Sequence, residues 1–315
     1  MGTILVTGAL GQIGTELVPF LCGRYGRERI IATDLRDDVD FGTDCRFRKL
    51  DVSSYSDVSS IIEEEDVSEI FHLAGILSAT GEKKPELAFS VNMVGTHNIL
   101  ESSVEHGVNR ILIPSTIGVF GRGTPKQNTP VETIIRPTTM YGITKYAGEL
   151  LGEYFHRKFS LDVRGLRFPG IISYKTAPTA GTTDYSVEMF LKAIRGERYT
   201  CYLRPDTLLP MMYMPDAIGS MVDLFEADGE KLTRRTDYHV SAYSLTPAIL
   251  AEKIREHIPD LDVDYRPDFR QEIADMWPES LDCSISESDW GFRASYGLDE
   301  TVSDMIGNLR REPDA

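Results

Sequence analysis

Cysteine, positive charge and long apolar runs are all scarce in this sequence of 315 residues. The cysteines lie far apart and form no CxxC pair, which argues against a small disulfide framework and predicts free thiols in a reducing compartment; they are Cys22, Cys45, Cys201 and Cys283. The 33 basic residues are outnumbered by 49 acidic ones, and the net charge of −16 would repel nucleic-acid phosphates and anionic lipids. We therefore expect no nucleic acid and no membrane among the partners.

Targeting and metal-binding patterns are missing as well. The start MGTILVTG has no basic segment and only a short apolar run, unlike a signal peptide. No apolar run approaches the roughly 20 residues that a membrane helix needs. The six histidines show no metal-ligand spacing with cysteines or carboxylates. We predict a cytoplasmic protein without a metal ion.

Short β-rich runs alternate with helical patterns over the first 170 residues. This alternation predicts the α/β class, with a doubly wound parallel (Rossmann) sheet. We predict strands at 3–7, 30–33, 46–50, 70–73, 110–114 and 163–168. The helices between them are predicted at 12–25, 54–65, 86–105 and 139–158.

The pattern changes after residue 170. We predict an NAD-binding domain over residues 1–170 and a smaller carboxyl-terminal substrate lobe over residues 171–315. A strand and a helix at about 209–228 are expected to return to the first domain. Thr246 followed by Pro247 predicts a helix start, because threonine caps the helix and proline suits its first turn.

Three glycines follow the first predicted strand in the segment TGALGQIG: Gly8, Gly11 and Gly14. A tight turn, a close backbone approach to a pyrophosphate and a helix N-terminus aimed at negative charge all favour small residues at these places. Between a strand and a helix, the triplet predicts a dinucleotide site.

Asp34 ends the second predicted strand, where a carboxylate can accept hydrogen bonds from the adenosine ribose and repel a 2′-phosphate. Arg36 could pair with such a phosphate, but we interpret it as a solvated surface charge. The sequence thus favours NAD over NADP.

Tyr141 and Lys145 form a YxxxK pair on one face of a predicted helix. A general base at neutral pH needs a pKa of about 7, whereas free tyrosine has a pKa of about 10. The charge of Lys145, together with an oxidised nicotinamide ring, is sufficient to lower the tyrosine pKa that far. Thr116, at the end of the fifth predicted strand, can hold the substrate oxygen. Ser115 is its neighbouring candidate.

The spacing TGxxGxxG, followed by Asp51-Val52, Leu73-Ala74-Gly75, Asn92 and YxxxK, resembles the extended branch of the short-chain dehydrogenase/reductase family. The resemblance implies catalysis by Tyr141, Lys145 and Thr116. It also implies cofactor contacts from Gly8, Gly11, Gln12, Ile13, Asp34, Leu35, Asp51, Val52, Leu73, Ala74, Gly75, Asn92, Tyr141, Lys145 and Pro169.

Further stretches resemble the short-chain type of L-threonine 3-dehydrogenases, among them LSATGEKKPELAFSVNMVGT, GTTDYSVEMF and IADMWPESLDCSISESDWGF. This resemblance implies NAD-dependent oxidation of L-threonine to 2-amino-3-oxobutyrate, as part of threonine catabolism. It implies substrate contacts from Ser78 (in the loop after the fourth strand), Ser115, Thr116, Tyr141, Gly181, Thr182 and Thr183. Relatives commonly pair through the two long helices, so it also implies a homodimer.

Several alternatives stay open from the residues alone. A nucleotide-sugar epimerase of the UDP-galactose type shares the glycine triplet and the YxxxK pair. A non-catalytic NAD sensor could use the same fold, although such proteins usually lose the tyrosine and lysine. Thr182 and Thr183 could be turn caps, and Trp277 could either line the pocket or fill the smaller lobe.

Overall fold

The computed structural model describes residues 2–36, 44–178 and 181–311. The strands are β1 Thr3–Thr7, β2 Ile30–Asp34, β3 Arg46–Lys49, β4 Val67–His72, β5 Arg110–Leu112, β6 Ser115–Thr116, β7 Asp162–Arg164, β8 Leu166–Phe168, β9 Gly170–Ile172, β10 Tyr199–Cys201, β11 Leu209–Tyr213, β12 Tyr238–His239, β13 Tyr243–Leu245 and β14 Val263–Tyr265.

The α-helices are α1 Gly14–Tyr25, α2 Tyr55–Glu64, α3 Ser78–Lys83, α4 Pro85–Ala88, α5 Gly95–Glu105, α6 Met140–Phe159, α7 Tyr185–Ile194, α8 Met214–Glu226, α9 Pro247–Arg255, α10 Phe269–Ala274, α11 Ser284–Trp290 and α12 Leu298–Arg311. Two 3-10 turns lie at Arg27–Arg29 and Ile117–Val119, and a π-helical turn lies at Phe89–Val94.

Six parallel strands form the central sheet in the order β3-β2-β1-β4-β5-β7. The strand order reverses beside β1, so the predicted doubly wound parallel sheet is confirmed. β1 shows why the sequence folds this way. Its core residues are fully buried: Ile4 and Val6 pack on the side of α1 and α8, and Leu5 packs on the side of α2 and α5.

Three smaller sheets surround the carboxyl edge of this sheet, with the orders β12-β8-β6, β13-β11-β9 and β10-β14. β8, before residue 170, pairs with β12, after it. The predicted division into two domains at residue 170 stays a prediction. The segment near 209–228 contains β11 and α8, and α8 packs against α1. Both chain halves therefore contribute to the region around the carboxyl ends of the strands.

Two predicted strands are wrong in extent, because the chain leaves the central sheet within each of them. The predicted strand at 110–114 ends at Leu112, and the one at 163–168 is interrupted at Gly165. The Gly165 amide donates to the Arg235 carbonyl at 2.7 Å, and a Cβ at Gly165 would lie 2.6 Å from the Ile113 carbonyl oxygen. This close backbone approach redirects the chain, so that β5 and β7 stay in the central sheet while β6 and β8 leave it.

The predicted cap at Thr246 is confirmed, and Thr139 caps α6 in the same way. Thr139 accepts a hydrogen bond from the Gly142 amide at 3.1 Å, and Thr246 accepts one from the Ile249 amide at 3.2 Å. The predicted continuous helix at 86–105 is wrong at Phe89–Val94, where the π-helical turn separates α4 from α5. Among the described residues, no helix is both long and apolar enough to cross a membrane.

Candidate active site

A cavity of about 350 Å³ lies at the carboxyl ends of β1 and β4, where the strand order reverses. Ligands of open α/β sheets bind at such a switch point. Its wall contains these sequence-predicted residues: Gly8, Gly11, Gln12, Ile13, Gly14, Leu73, Gly75, Ser78, Ser115, Thr116, Tyr141, Lys145, Pro169, Gly181, Thr182, Thr183 and Trp277. The structure thus gathers residues from seven segments of the chain into one site.

Other predicted residues lie outside this wall: Asp34, Leu35, Asp51, Val52, Ala74 and Asn92. Conversely, sequence reasoning missed several wall residues: Ile76, Leu77, Thr80, Pro114, Ile117, Phe168, Gly170, Ile171 and Asp184. Most of these directly adjoin a predicted residue, so adjacency was the available signal. Except for Thr80 and Asp184, these residues have no polar side chain and gave no chemical sign of a site.

The glycine turn after β1 is shaped by lack of space. Gly8 has a φ of +66°, and a Cβ on it would lie 2.6 Å from the Ala74 amide nitrogen. A Cβ on Gly14 would lie 2.5 Å from the Ala9 carbonyl oxygen, at the first residue of α1. The turn therefore brings bare backbone and the positive end of α1 to the cavity. Such a cradle fits the pyrophosphate of a dinucleotide.

Asp34 stands at the end of β2, beside this turn. One carboxylate oxygen accepts a hydrogen bond from the Leu10 amide at 3.1 Å, and the other accepts one from the Arg36 amide at 3.2 Å. The Arg36 side chain is 63% exposed and pairs with Asp34 at 3.1 Å. Arg36 is thus an exposed surface charge, as interpreted from the sequence, and it is also paired with the neighbouring carboxylate. Leu35, between them, is exposed. A carboxylate here fits the ribose hydroxyls of NAD.

The remaining predicted cofactor residues brace the backbone around the cavity. Asp51 accepts hydrogen bonds from the amide and hydroxyl of Ser53, at 2.9 and 2.7 Å. The Val52 carbonyl accepts one from Asn98 at 3.0 Å. The Ala74 amide donates to Thr7 at 3.3 Å.

Asn92 holds the segment after β4 from the π-helical turn. Its oxygen accepts from the Ile76 amide at 2.7 Å, and its nitrogen donates to the Ile76 carbonyl at 3.0 Å. Its amide nitrogen also donates to Thr144 on α6 at 3.2 Å. In the cofactor-free protein Asn92 thus fixes the wall segment that carries Ile76.

Tyr141 lies in the first turn of α6 and is hydrogen-bonded to the Thr116 hydroxyl. Two glycines permit this contact. A Cβ on Gly142 would lie 2.1 Å from the Gly118 carbonyl oxygen, and one on Gly118 would lie 3.3 Å from the Tyr141 ring. The start of α6 therefore packs directly on the turn after β6, which places the phenol beside Thr116.

Burial shifts the pKa values of both members of the pair. Burial raises the pKa of Tyr141 to about 12, although the Thr116 hydrogen bond lowers it. Burial lowers the pKa of Lys145 to about 8, and the charge of Glu149 opposes that shift. Lys145 donates to the Pro114 carbonyl at 3.0 Å. The expected lowering of the tyrosine pKa also depends on the oxidised nicotinamide ring, so it stays a prediction.

Small polar side chains face the pair across the cavity. Ser78 is buried and lies 3.5 Å, oxygen to oxygen, from Thr182. Its predicted place in a loop is wrong, because it is the first residue of α3. Gly181 donates its amide to Asp184 at 2.8 Å and accepts at its carbonyl from Tyr202 at 3.1 Å. The segment 181–183 is therefore held from both sides in the cavity wall.

Ser115 and Trp277 have contacts that limit their roles. The Ser115 hydroxyl donates a short hydrogen bond to Glu149. Trp277 lines the cavity and also belongs to the core of the small sheets, so both alternatives weighed for it hold. Lys126 fixes its segment by donating to the carbonyls of Asp275 and Trp277, at 2.5 and 2.6 Å. Within residues 2–36, 44–178 and 181–311, no group of histidine, cysteine and carboxylate side chains is arranged to hold a metal ion.

Comparison with known proteins identifies relatives over nearly the whole chain. An uncharacterised epimerase/dehydratase of Staphylococcus haemolyticus is 45% identical over 95% of this chain and 94% of its own length. The solved L-threonine dehydrogenase of Cupriavidus necator in its holo form is 44% identical, covers 98% of this chain and 99% of its own, and has a TM-score of 0.95. A monomeric L-threonine 3-dehydrogenase from a metagenome is 41% identical, covers 99% and 100%, and has a TM-score of 0.96.

Residues 4–229 match the family described as the NAD dependent epimerase/dehydratase family. This range contains the glycine turn, Asp34, Thr116 and the YxxxK pair. The dinucleotide cradle and the match over most of the chain agree. The chain therefore belongs to the NAD-dependent epimerase/dehydratase family, a group of extended short-chain dehydrogenases.

Proposed function

We propose that this chain oxidises the 3-hydroxyl group of L-threonine to 2-amino-3-oxobutyrate, with NAD as the hydride acceptor. One observation carries the proposal: a single cavity joins Tyr141, Lys145 and Thr116 to the polar segment 181–183 and to the glycine turn. The solved neighbours at 44% and 41% identity are both L-threonine dehydrogenases, which supports it.

The chemistry divides among the chain's own residues. Thr116 holds the substrate hydroxyl oxygen, and Tyr141, hydrogen-bonded to Thr116, takes the hydroxyl proton as general base. Lys145 contributes a positive charge near the phenol. Bound NAD supplies the nicotinamide ring that accepts the hydride, and in its oxidised form it adds a second positive charge. Burial raises the pKa of Tyr141, and the positive charges of Lys145 and of the oxidised ring would act in the opposite direction.

L-Threonine is a small zwitterion, and the cavity offers matching groups. Ser78, Thr182 and Thr183 present hydroxyl groups, and the segment 181–183 leads into the amino end of α7, which favours a carboxylate. The apolar side chains of Leu77 and Trp277 lie in the same wall and can enclose the γ-methyl group. Several converging hydrogen bonds can hold a carboxylate without a buried arginine.

The cofactor assignment rests on the same edge of the sheet. The glycine turn receives the pyrophosphate, and Asp34 receives the adenosine ribose. Leu35, Asp51 and Val52 stand at the ends of β2 and β3 where the adenine would lie, and Pro169 lies near the nicotinamide end of the cavity. We propose NAD as the cofactor on these grounds.

A homodimer is part of the proposal. Ile143, Leu150 and Tyr154 are spaced seven and four residues apart on α6 and are 46%, 53% and 45% exposed. Phe89 and Val94, at the amino end of α5, are also exposed. An apolar face on two adjacent helices fits pairing with a second copy, although the metagenomic neighbour is monomeric. We further propose a cytoplasmic location and a role in threonine catabolism.

A nucleotide-sugar epimerase is the second candidate, because the family includes epimerases. The test offers L-threonine, D-threonine, L-serine and UDP-galactose separately to purified protein with NAD. We expect L-threonine to reduce NAD. L-Serine should react poorly, since one buried methyl group is worth roughly 1–3 kcal/mol. Epimerised sugar, with no NADH from any amino acid, would overturn the proposal.

A further inference from the structure

Glu149 occupies the same face of α6 as the catalytic pair, since residues 141, 145 and 149 recur every four positions. Its side chain is only 4% exposed. The carboxylate accepts two hydrogen bonds from Arg167, at 2.9 Å from Nε and 2.7 Å from Nη2, and a third from the Ser115 hydroxyl. A buried carboxylate therefore sits one helical turn beyond Lys145.

The partners of Glu149 lie on two neighbouring strands. Ser115 on β6 is the register partner of Arg167 on β8. The residue after Ser115 is Thr116, which is hydrogen-bonded to Tyr141. The residue before it is Pro114, whose carbonyl accepts from Lys145 at 3.0 Å. The Glu149 carboxylate thus anchors the segment 114–116. This segment supplies the carbonyl partner of Lys145 and the hydroxyl partner of Tyr141.

Glu149 also faces the ammonium group of Lys145. A small cavity of about 10 Å³ has Lys145, Glu149 and Ser115 in its wall. The other titratable neighbours of Lys145 are Tyr141 on α6 and the buried, neutral His72 on β4. In the described part of the chain, Glu149 is the carboxylate that acts on Lys145.

The charge on Glu149 is itself held by its surroundings. Burial raises the pKa of this carboxyl group, and the two hydrogen bonds from Arg167 oppose that change. Arg167 additionally approaches Asp237 at 3.8 Å and the ring of His239 at 3.2 Å. The bidentate guanidinium partner at these distances favours the ionised carboxylate.

We propose that Glu149 is a positioning residue for the proposed dehydrogenase reaction, on which this inference rests: it fixes the segment 114–116 and keeps Lys145 protonated. The two effects are separable, because the hydrogen bond to Ser115 carries the first and the charge carries the second. Without the carboxylate charge, Lys145 would lose protonation at a lower pH. Tyr141 would then lose its positive neighbour when a base is needed.

The first test measures Lys145 directly in the cofactor-free protein. Lysine labelled with ¹³C at Cε is titrated by NMR in wild type and Glu149→Gln, and the Lys145 signal is assigned by its absence from Lys145→Arg. We expect the acid dissociation constant of Lys145 to increase about tenfold in Glu149→Gln. Ser115→Ala keeps the charge and should leave the titration in place. Glu153→Gln, one turn further along α6, is the matched control. An unchanged Lys145 titration in folded Glu149→Gln overturns the proposal.

The second test uses the pH profile of threonine oxidation. In Glu149→Gln the rising limb should move to higher pH and the falling limb to lower pH, because Lys145 loses its proton earlier. We expect kcat to fall about tenfold with little change in KM, since substrate contacts are kept. If wild type does not oxidise L-threonine, the function fails while the NMR titration still decides the role of Glu149.

Glu149→Gln leaves the charge of Arg167 buried without its partner, which could prevent folding. In that case the double variant Glu149→Gln/Arg167→Met is titrated instead. Its net buried charge is the same as in wild type, and the nearer group, Glu149, is still removed. A Lys145 titration equal to that of wild type in the folded double variant also overturns the proposal.

Discussion

Lys145 donates a hydrogen bond from its ammonium group to the carbonyl oxygen of Pro114, 3.0 Å away. Tyr141 is instead hydrogen-bonded to Thr116, two residues further along the chain. Tyr141 and Lys145 are therefore both held by the short segment 114–116. Burial raises the pKa of Tyr141 to about 12 and lowers that of Lys145 to about 8, so burial favours the neutral form of each side chain.

Replacing Tyr141 by phenylalanine tests this base. The ring stays and the ionisable oxygen is lost, so kcat should fall by about 10²-fold or more while calorimetric NAD binding persists. Tyr146→Phe, on the same helix but packed in the core of the small sheets, is the control and should keep its turnover. Near wild-type turnover in Tyr141→Phe would exclude Tyr141 as the base.

Asp34 repels a 2′-phosphate and also holds Arg36 in an ion pair. Replacing Asp34 should therefore remove the repulsion and release the Arg36 side chain. In Asp34→Ser, NAD use should weaken, and kcat/KM with NADP should rise at least about tenfold, as a newly available charged hydrogen bond implies. Asp34→Ser/Arg36→Ala should lose that gain. Equal use of NAD and NADP by wild type would contradict the assignment.

Thr183→Val keeps the shape of the side chain and removes its hydroxyl group. We expect KM for L-threonine to rise about tenfold, because a hydrogen bond to a charged substrate group is lost. NAD affinity should stay unchanged. Thr200→Val, at an exposed position of β10, is the matched control. An unaltered KM in Thr183→Val would favour the turn-cap interpretation of this residue.

His72 predicts a pH dependence of stability. It is hydrogen-bonded to Thr7 and Thr96, and burial lowers its pKa from 6.5 to about 3. Between these values the unfolded chain binds a proton that the native chain does not. The stabilising effect is therefore complete above the unfolded pKa and is lost as pH falls towards the folded one.

The free energy of unfolding should thus drop on acidification by about 2 kcal/mol from His72 alone between about pH 6.5 and pH 5. Urea unfolding of wild type and His72→Gln at both pH values measures this difference. His97→Gln, with a partly exposed side chain, is the control and should keep the wild-type slope. A slope in His72→Gln equal to that of wild type would show that His72 is protonated in the native protein.

The sequence predicted the features that depend on neighbours along the chain. The glycine turn, Asp34 and the YxxxK pair are local patterns, and each lies at the edge of the sheet where the pattern places it. The predicted cap at Thr246 is equally local. Their physical cause is short-range backbone geometry, which a single segment already determines.

Features that depend on contacts between distant segments could not be predicted from the sequence. The break at Gly165 follows from contacts with Ile113 and Arg235, far away along the chain. The pairing of Glu149 with Arg167 and Ser115 has no sequence pattern, and the π-helical turn replaces what reads as one regular helix. The raised pKa of Tyr141 also depends on burial by several elements, which periodicity does not measure.

In the proposed reaction, hydride leaves C3 of L-threonine for NAD in this cavity. L-Threonine carrying deuterium at C3 tests it most directly, with mass spectrometry of the dinucleotide and of the amino-acid product. We predict that wild type forms singly deuterated NADH together with 2-amino-3-oxobutyrate, and that Tyr141→Phe forms neither at a comparable rate. Unreduced NAD and intact labelled threonine after prolonged incubation with folded protein would contradict the proposed oxidation of L-threonine.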